Sequence, residues 1–208
     1  MIIIDISWPI SESMTGYKDR MSVHFEQLKT FSKDQVRSSR ITLDSHTGTH
    51  IDAPAHFLSD GKTIDQIDRG IIIGECTVLD FMEVTDAVTK SDLEKKEIKE
   101  GDIVLLKTKN SSFGLDAAFD KNFIYLEKSG AQYLVEKKIK AVGIDYLGIE
   151  RNQPDHETHT ILMKHEIGII EGLRLSHVEP QHYFFLCLSL PVVGLEAAPA
   201  RAILVHQQ

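Results

Sequence analysis

Short apolar runs alternate with charged, turn-rich stretches along the whole of this chain. Residues 2–6 (IIIDI) read as a strand that ends at Pro9, and residues 40–44 (RITLD) alternate polar and apolar. That alternation points Ile41 and Leu43 toward a core. An apolar run at 71–74 (IIIG) precedes a strand at 76–81 (CTVLDF). Residues 103–107 (IVLLK) and 141–145 (AVGID) have the unbroken apolar character of buried strands. Two more strands are expected within 183–193 (YFFLCLSLPVV) and at 201–205 (RAILV).

Helical spacing marks two segments. In residues 91–99 (SDLEKKEIK), Ser91 is the expected N-cap, Glu94 completes a capping box, and Leu93 and Ile98 are the apolar positions. The charges between them read as a solvated face. Residues 129–140 repeat Ala131, Leu134, Val135 and Ile139 at helical intervals. Strand, helix and strand in succession predict a crossover unit and an α/β class. With no repeat, low-complexity tract or linker, residues 1–208 read as one α/β domain, a mixed sheet with helices packed on it.

Composition narrows the function. Thirty-one Asp and Glu against 23 Lys and Arg leave a net charge of -8, with no basic run to grip a phosphate backbone. Nucleic acid is therefore not expected as a partner, and no apolar stretch is long enough for a membrane helix. The opening MIIIDISWPI is too short, and carries an Asp too early, for a secretory signal. Cys76 and Cys187 are the two cysteines, too far apart for a Cys-x-x-Cys motif. They read as buried reduced thiols in a cytoplasmic protein.

The chemistry concentrates in residues 45–57 (SHTGTHIDAPAHF), where His46, His50, Asp52 and His56 fall within eleven positions. Neutral imidazoles and a carboxylate are ligands for Zn²⁺, Mn²⁺ and related divalent ions. Gly48, Pro54 and the threonines disfavour a helix, so an irregular turn leaving the 40–44 strand is expected to carry the rings. Gly48 supplies the bend and Pro54 stiffens the exit. His46, His50, Asp52 and a water complete a mononuclear site. His56 is left over, placed to shuttle a proton as general base and acid.

A second polar stretch covers residues 155–166. Here His156, Glu157, His159, His165 and Glu166 are all chemically able to bind a metal, and spacing does not choose among them. Without further information this segment reads as a hydrated loop and helix start. Glu171 ends the apolar run 167–170 (IGII), where a carboxylate must be exposed, paired or metal-bound. Trp8, Tyr17, Phe57 and Tyr146 read as core aromatics, with an aromatic pocket as the alternative. No Gly-x-Ser-x-Gly elbow supports a serine hydrolase.

The run His46-Thr-Gly-Thr-His50-x-Asp52-x-Pro54-x-His56-Phe57 resembles the metal signature of the cyclase-like hydrolases, a family that includes bacterial kynurenine formamidase and isatin hydrolase. Weaker matches lie at residues 5–7, 101–105, 141–145 and 198–202. The resemblance implies a swivelling β/α-type fold in a homodimer or larger homo-oligomer. It makes His46, His50 and Asp52 ligands of a first metal and His56 the catalytic histidine. It also selects His159 and Glu171, with a bridging Asp52, for a second metal. Two segments depart from the family's usual residues: 17–20 (YKDR) and 108–110 (TKN). Both are expected around the substrate pocket.

The implied activity is metal-dependent hydrolysis of an amide carbon–nitrogen bond in a small molecule. Zn²⁺ or Mn²⁺, as one or two ions per subunit, activates water, with His56 as general base and acid. An aryl formamide such as N-formylkynurenine leads, and an isatin-like lactam follows. A silent metal-binding or regulatory protein is the reading from another class. The spare proton carrier His56 speaks against it.

Overall fold

The computed structural model describes residues 1–20 and 23–206. Strand β1 (Ile2–Asp5) leads to a hairpin of β2 (His24–Lys29) and β3 (Ser38–Thr42), with the single-turn helix α1 (Phe31–Asp34) at its tip. The short strand β4 (His50–Asp52) follows, then β5 (Ile73–Asp80), β6 (Ala87–Val88), helix α2 (Lys90–Leu93) and β7 (Ile103–Lys107). Strand β8 (Tyr125–Leu126), helix α3 (Lys128–Glu136), β9 (Ala141–Ile144), helix α4 (Glu157–Lys164) and β10 (Gly168–Glu171) complete the α/β part. Strands β11 (His182–Ser189) and β12 (Ala197–His206) end the chain.

The main sheet runs β1-β12-β11-β5-β7-β9-β10-β4 and is mixed: β5, β7, β9 and β10 are parallel, and the rest pair antiparallel. Its closure hinges on β4, which pairs with β10 on one side and with the start of β12 on the other. Seven strands thus form a ring, and β1 extends it along the later part of β12. Alternation along β7 shows the two environments. Ile103 and Leu105 point into the ring with Ile51, Ile170, Phe185 and Leu204, while Val104 and Leu106 pack outward with Leu93, Leu134 and Leu162. Both faces are apolar because the interior fills the ring and the helices cover its outside. Cys76 and Cys187 are buried as free thiols, and burial pushes the Cys76 thiol up to about 12.

The α/β class, the mixed sheet and the crossover from β7 through α3 to β9 are as the sequence predicts. The expected strands reappear within three residues of their bounds, apart from 201–205, whose strand starts four residues earlier at Ala197, and the later part of 183–193, which leaves the sheet after Ser189. Three local expectations fail. The 91–99 helix is the single turn α2, capped by Thr89, whose N–H and hydroxyl both bond Asp92 Oδ2 (3.1 and 2.7 Å). Leu93 and Ile98 are both buried, but five residues along a helix turns roughly 140° between faces. The chain meets both burial demands by leaving the helix between them.

Ile41 is 60% exposed, because β3 pairs only with β2 and no further layer covers the hairpin. Leu43, just beyond the strand, does pack against the cluster of Trp8, Phe119, Phe123 and Tyr146. Residues 108–110 are structural and do not join the 17–20 segment around a cavity. Thr108 (N and Oγ1) and Asn110 Nδ2 donate to the buried carboxylate of Asp145, at 2.8, 2.8 and 3.4 Å. Burial pushes that carboxyl up to about 6 in spite of those donors.

Candidate metal centre

Strand β4 brings the chemistry onto the sheet. Ile51 points into the ring, so His50 and Asp52, on either side of it, face outward. On β10, Ile170 points inward and Glu171 outward, and Glu171 pairs in register with His50. Helix α4 packs against β10 and lays His159 over the same spot. His46 arrives from the turn before β4, where Gly48 adopts a left-handed φ of +61° beneath Trp8 and Met14. Only part of the irregular-turn expectation survives: His46 is in a turn, but His50 and Asp52 share a strand.

Asp52 is the hub. Its Oδ1 lies 3.0 Å from His46 Nδ1 and 3.4 Å from His50 Nε2, and its Oδ2 lies 3.5 Å from His159 Nε2. Glu171 closes the other side, 3.3 Å from His50 Nε2 and 3.2 Å from His159 Nε2. The His50 ring is oriented from behind, since its Nδ1–H donates to the Gly48 carbonyl at 2.9 Å and leaves Nε2 facing the carboxylates. Two groups of donor atoms result, His46/His50/Asp52 and Asp52/His159/Glu171, and in each the atoms lie within 4.8 Å of one another. They share Asp52.

These groups are buried and under-satisfied. His50 Nε2 and both Asp52 oxygens find no hydrogen-bond partner. Burial opposes protonation of His50, yet Asp52 and Glu171 outweigh it and raise the imidazole to about 10. His159 is raised as well, against its burial, by Asp52, Glu150 and Glu171. Burial and the charge of Asp52 push Glu171 up, but His159 and His50 prevail and hold it at about 2. Such a cluster needs positive charge at its centre, and a divalent cation fits the donor set of imidazoles and carboxylates.

His56 stands beside these groups without belonging to either. It ends a short 3₁₀ turn that Pro54 starts, with its ring 4.3 Å from that of His46 and 6.0 Å from that of His159. Burial pushes its pKa down, and the neighbouring histidines add to this against the pull of Asp52. It lines a cavity of about 630 Å³ with Tyr17, Phe57, Leu147 and His156, and with Lys18 and Arg20 from the unusual 17–20 segment. Of the four aromatics considered from sequence, Tyr17 and Phe57 line this cavity, while Trp8 and Tyr146 are core.

Of the other candidates in the second stretch, His165 Nδ1–H bonds the Ile161 carbonyl and Glu166 pairs with Lys62, both at the surface. Glu157 pairs with Lys128 at 2.6 Å. Two residues escaped notice in the sequence. Glu196 Oε1 lies 3.4 Å from His46 Nε2 and accepts from Ser45 Oγ at 2.5 Å, and Glu150 Oε2 lies 3.2 Å from His159 Nδ1. Neither sits in a motif: Glu196 comes from a segment distant from His46, and Glu150 lies nine residues before His159.

The Cyclase family model matches residues 4–151. The chain belongs to the Cyclase family. Its relatives include the kynurenine formamidase of Bacillus anthracis, 31% identical over 97% of this chain and 96% of that protein. Among solved structures, a predicted metal-dependent hydrolase from Bacillus stearothermophilus is 41% identical, with a TM-score of 0.88 over 98% of this chain and 97% of that one. The isatin hydrolase A of Labrenzia aggregata, at 19% identity and a TM-score of 0.84 over 99% and 94% of the two chains, shares the fold. No helix among the described residues of this Cyclase-family chain is long and apolar enough to cross a membrane.

Proposed function

We propose that this chain is a metal-dependent amidohydrolase that opens the carbon–nitrogen bond of an aryl formamide such as N-formylkynurenine. The observation that carries this reading is the pair of donor groups sharing Asp52, with His56 outside both groups yet beside them in the wall of the cavity. His46, His50 and Asp52 hold a first divalent ion, and Asp52, His159 and Glu171 hold a second. When bound, such ions polarise a carbonyl oxygen and make water a stronger acid. Zn²⁺ suits the donor set, and Mn²⁺ is the alternative.

The remaining chemistry belongs to the side chains. His56, kept largely neutral near pH 7 by burial and by its histidine neighbours, accepts the proton of the attacking water through a ring nitrogen. As the new carbon–oxygen bond replaces the carbon–nitrogen bond, it returns that proton to the leaving amine. Phe57 and Tyr17 offer apolar faces for an aryl ring. The relationship to kynurenine formamidase supports the formamide. The fold shared with isatin hydrolase supports a cyclic amide as the second reading. A homo-oligomer in the cytoplasm acting on a small molecule completes the proposal.

The deciding experiment strips the protein of metal, reloads it with Zn²⁺ or Mn²⁺, and follows hydrolysis of N-formylkynurenine and of isatin in parallel. Metal-restored turnover of the formamide supports the leading reading. Turnover of isatin alone moves the assignment to lactams, and activity that survives thorough chelation removes the metal from the mechanism.

A further inference from the structure

Glu150 takes no part in either donor group, yet it is almost fully buried at their edge. One oxygen, Oε2, lies 3.2 Å from His159 Nδ1 and accepts the His159 backbone N–H, also at 3.2 Å. The other, Oε1, lies 2.6 Å from Nδ1 of His156, a largely exposed residue at the cavity rim. The carboxylate therefore clasps α4 at its first turn, on the far side of His159 from Asp52 and Glu171. The segment it clasps is unusual: Asp155 and His156 adopt left-handed φ angles of 50° and 49° without being glycine. Such a conformation persists only where contacts impose it. Nδ1 of His159 is buried and finds no hydrogen-bond partner, and the Glu150 carboxylate 3.2 Å away is the acceptor placed to take its proton.

We infer that Glu150 is a positioning residue for the second ion: it holds His159 with Nδ1 protonated and Nε2 turned toward Asp52 and Glu171. This rests on the two-ion reading above. A carboxylate behind a histidine ligand fixes the ring and strengthens its basicity, and losing it costs roughly 10–100-fold in metal affinity. The rival role is purely structural, because a carboxylate that accepts the N–H of the third helical residue also caps a helix.

Glu150→Gln separates the two roles, since an amide oxygen still accepts the His159 N–H while the charge is lost. Metal-free wild type and variant are titrated with Zn²⁺ against a chromogenic chelator, which reads the number of ions and the Kd of each step. The expected result is an unchanged first step and a second step weakened by roughly 10–100-fold. Glu150→Asp, with the carboxylate withdrawn by one methylene, is the second variant should Glu150→Gln not fold, and the same selective loss is expected. Two unchanged steps in either variant overturn the positioning role and leave Glu150 a cap. A wild type that binds one ion overturns the two-ion reading itself and the inference with it, a result seen before any variant is made.

Discussion

His50 and Glu171 face each other across one antiparallel register pair of β4 and β10, and His50 Nε2 lies 3.3 Å from Glu171 Oε2. Side chains directly opposite in a ladder stay together as long as the ladder does. The distance across the site is thus set by backbone hydrogen bonds of the ring, and disturbing those bonds disturbs the chemistry.

Gly172 tests that dependence. It follows Glu171 at a φ of +71°, and a Cβ there would stand 2.1 Å from the Gly48 carbonyl oxygen. Gly172→Ala is expected to cost roughly 2–4 kcal/mol, since both backbone strain and a backbone clash are imposed. Thermal denaturation measures the loss, and a variant as stable as the parent would show that the two loops separate freely.

His56→Ala is expected to keep its full metal content and to lose about 10²–10⁴-fold in kcat/KM, the usual contribution of a positioned acid–base group. Metal analysis beside steady-state kinetics checks both halves. Full activity in this variant removes His56 from the mechanism.

His50→Ala should behave differently. On the proposed assignment the first ion loses a ligand, and Glu171 and Asp52 lose the imidazole between them. Metal content and turnover are expected to fall together, and a variant that retains both ions would contradict the assignment of His50.

In the metal-stripped protein, His50 is raised to about 10 by Asp52 and Glu171 against its burial, and Glu171 is lowered to about 2 by His159 and His50 against burial and Asp52. The histidine's contribution to stability is complete below its ordinary 6.5 and is lost as pH climbs toward 10. The carboxylate's contribution is present above its ordinary 4.5 and is lost as pH falls toward 2. Calorimetry of the stripped protein should place the highest Tm between about pH 4.5 and 6.5. A divalent ion replaces those protons, so reloaded protein should hold its Tm further into alkaline conditions. A stripped protein with a flat Tm from pH 6.5 to 9 would contradict this.

Much of this was legible along the chain, because the face a residue turns to its neighbours is a local property. Period-two and unbroken apolar runs marked β7, β9 and β12, and helical spacing marked the buried side of α3 with Ala131 and Leu134. The close spacing of His46, His50 and Asp52 likewise announced a candidate metal group, since those residues need only a turn and a short strand to meet. Tertiary structure alone decided what depends on partners distant in sequence. It let β4 close the ring between β10 and β12, and it left Ile41 uncovered although its alternation was genuine. It also set Glu150 behind His159, the histidine that spacing left level with His156 and His165 and that the family resemblance singled out, because α4 docks on β10 with the His159 face toward the buried carboxylates.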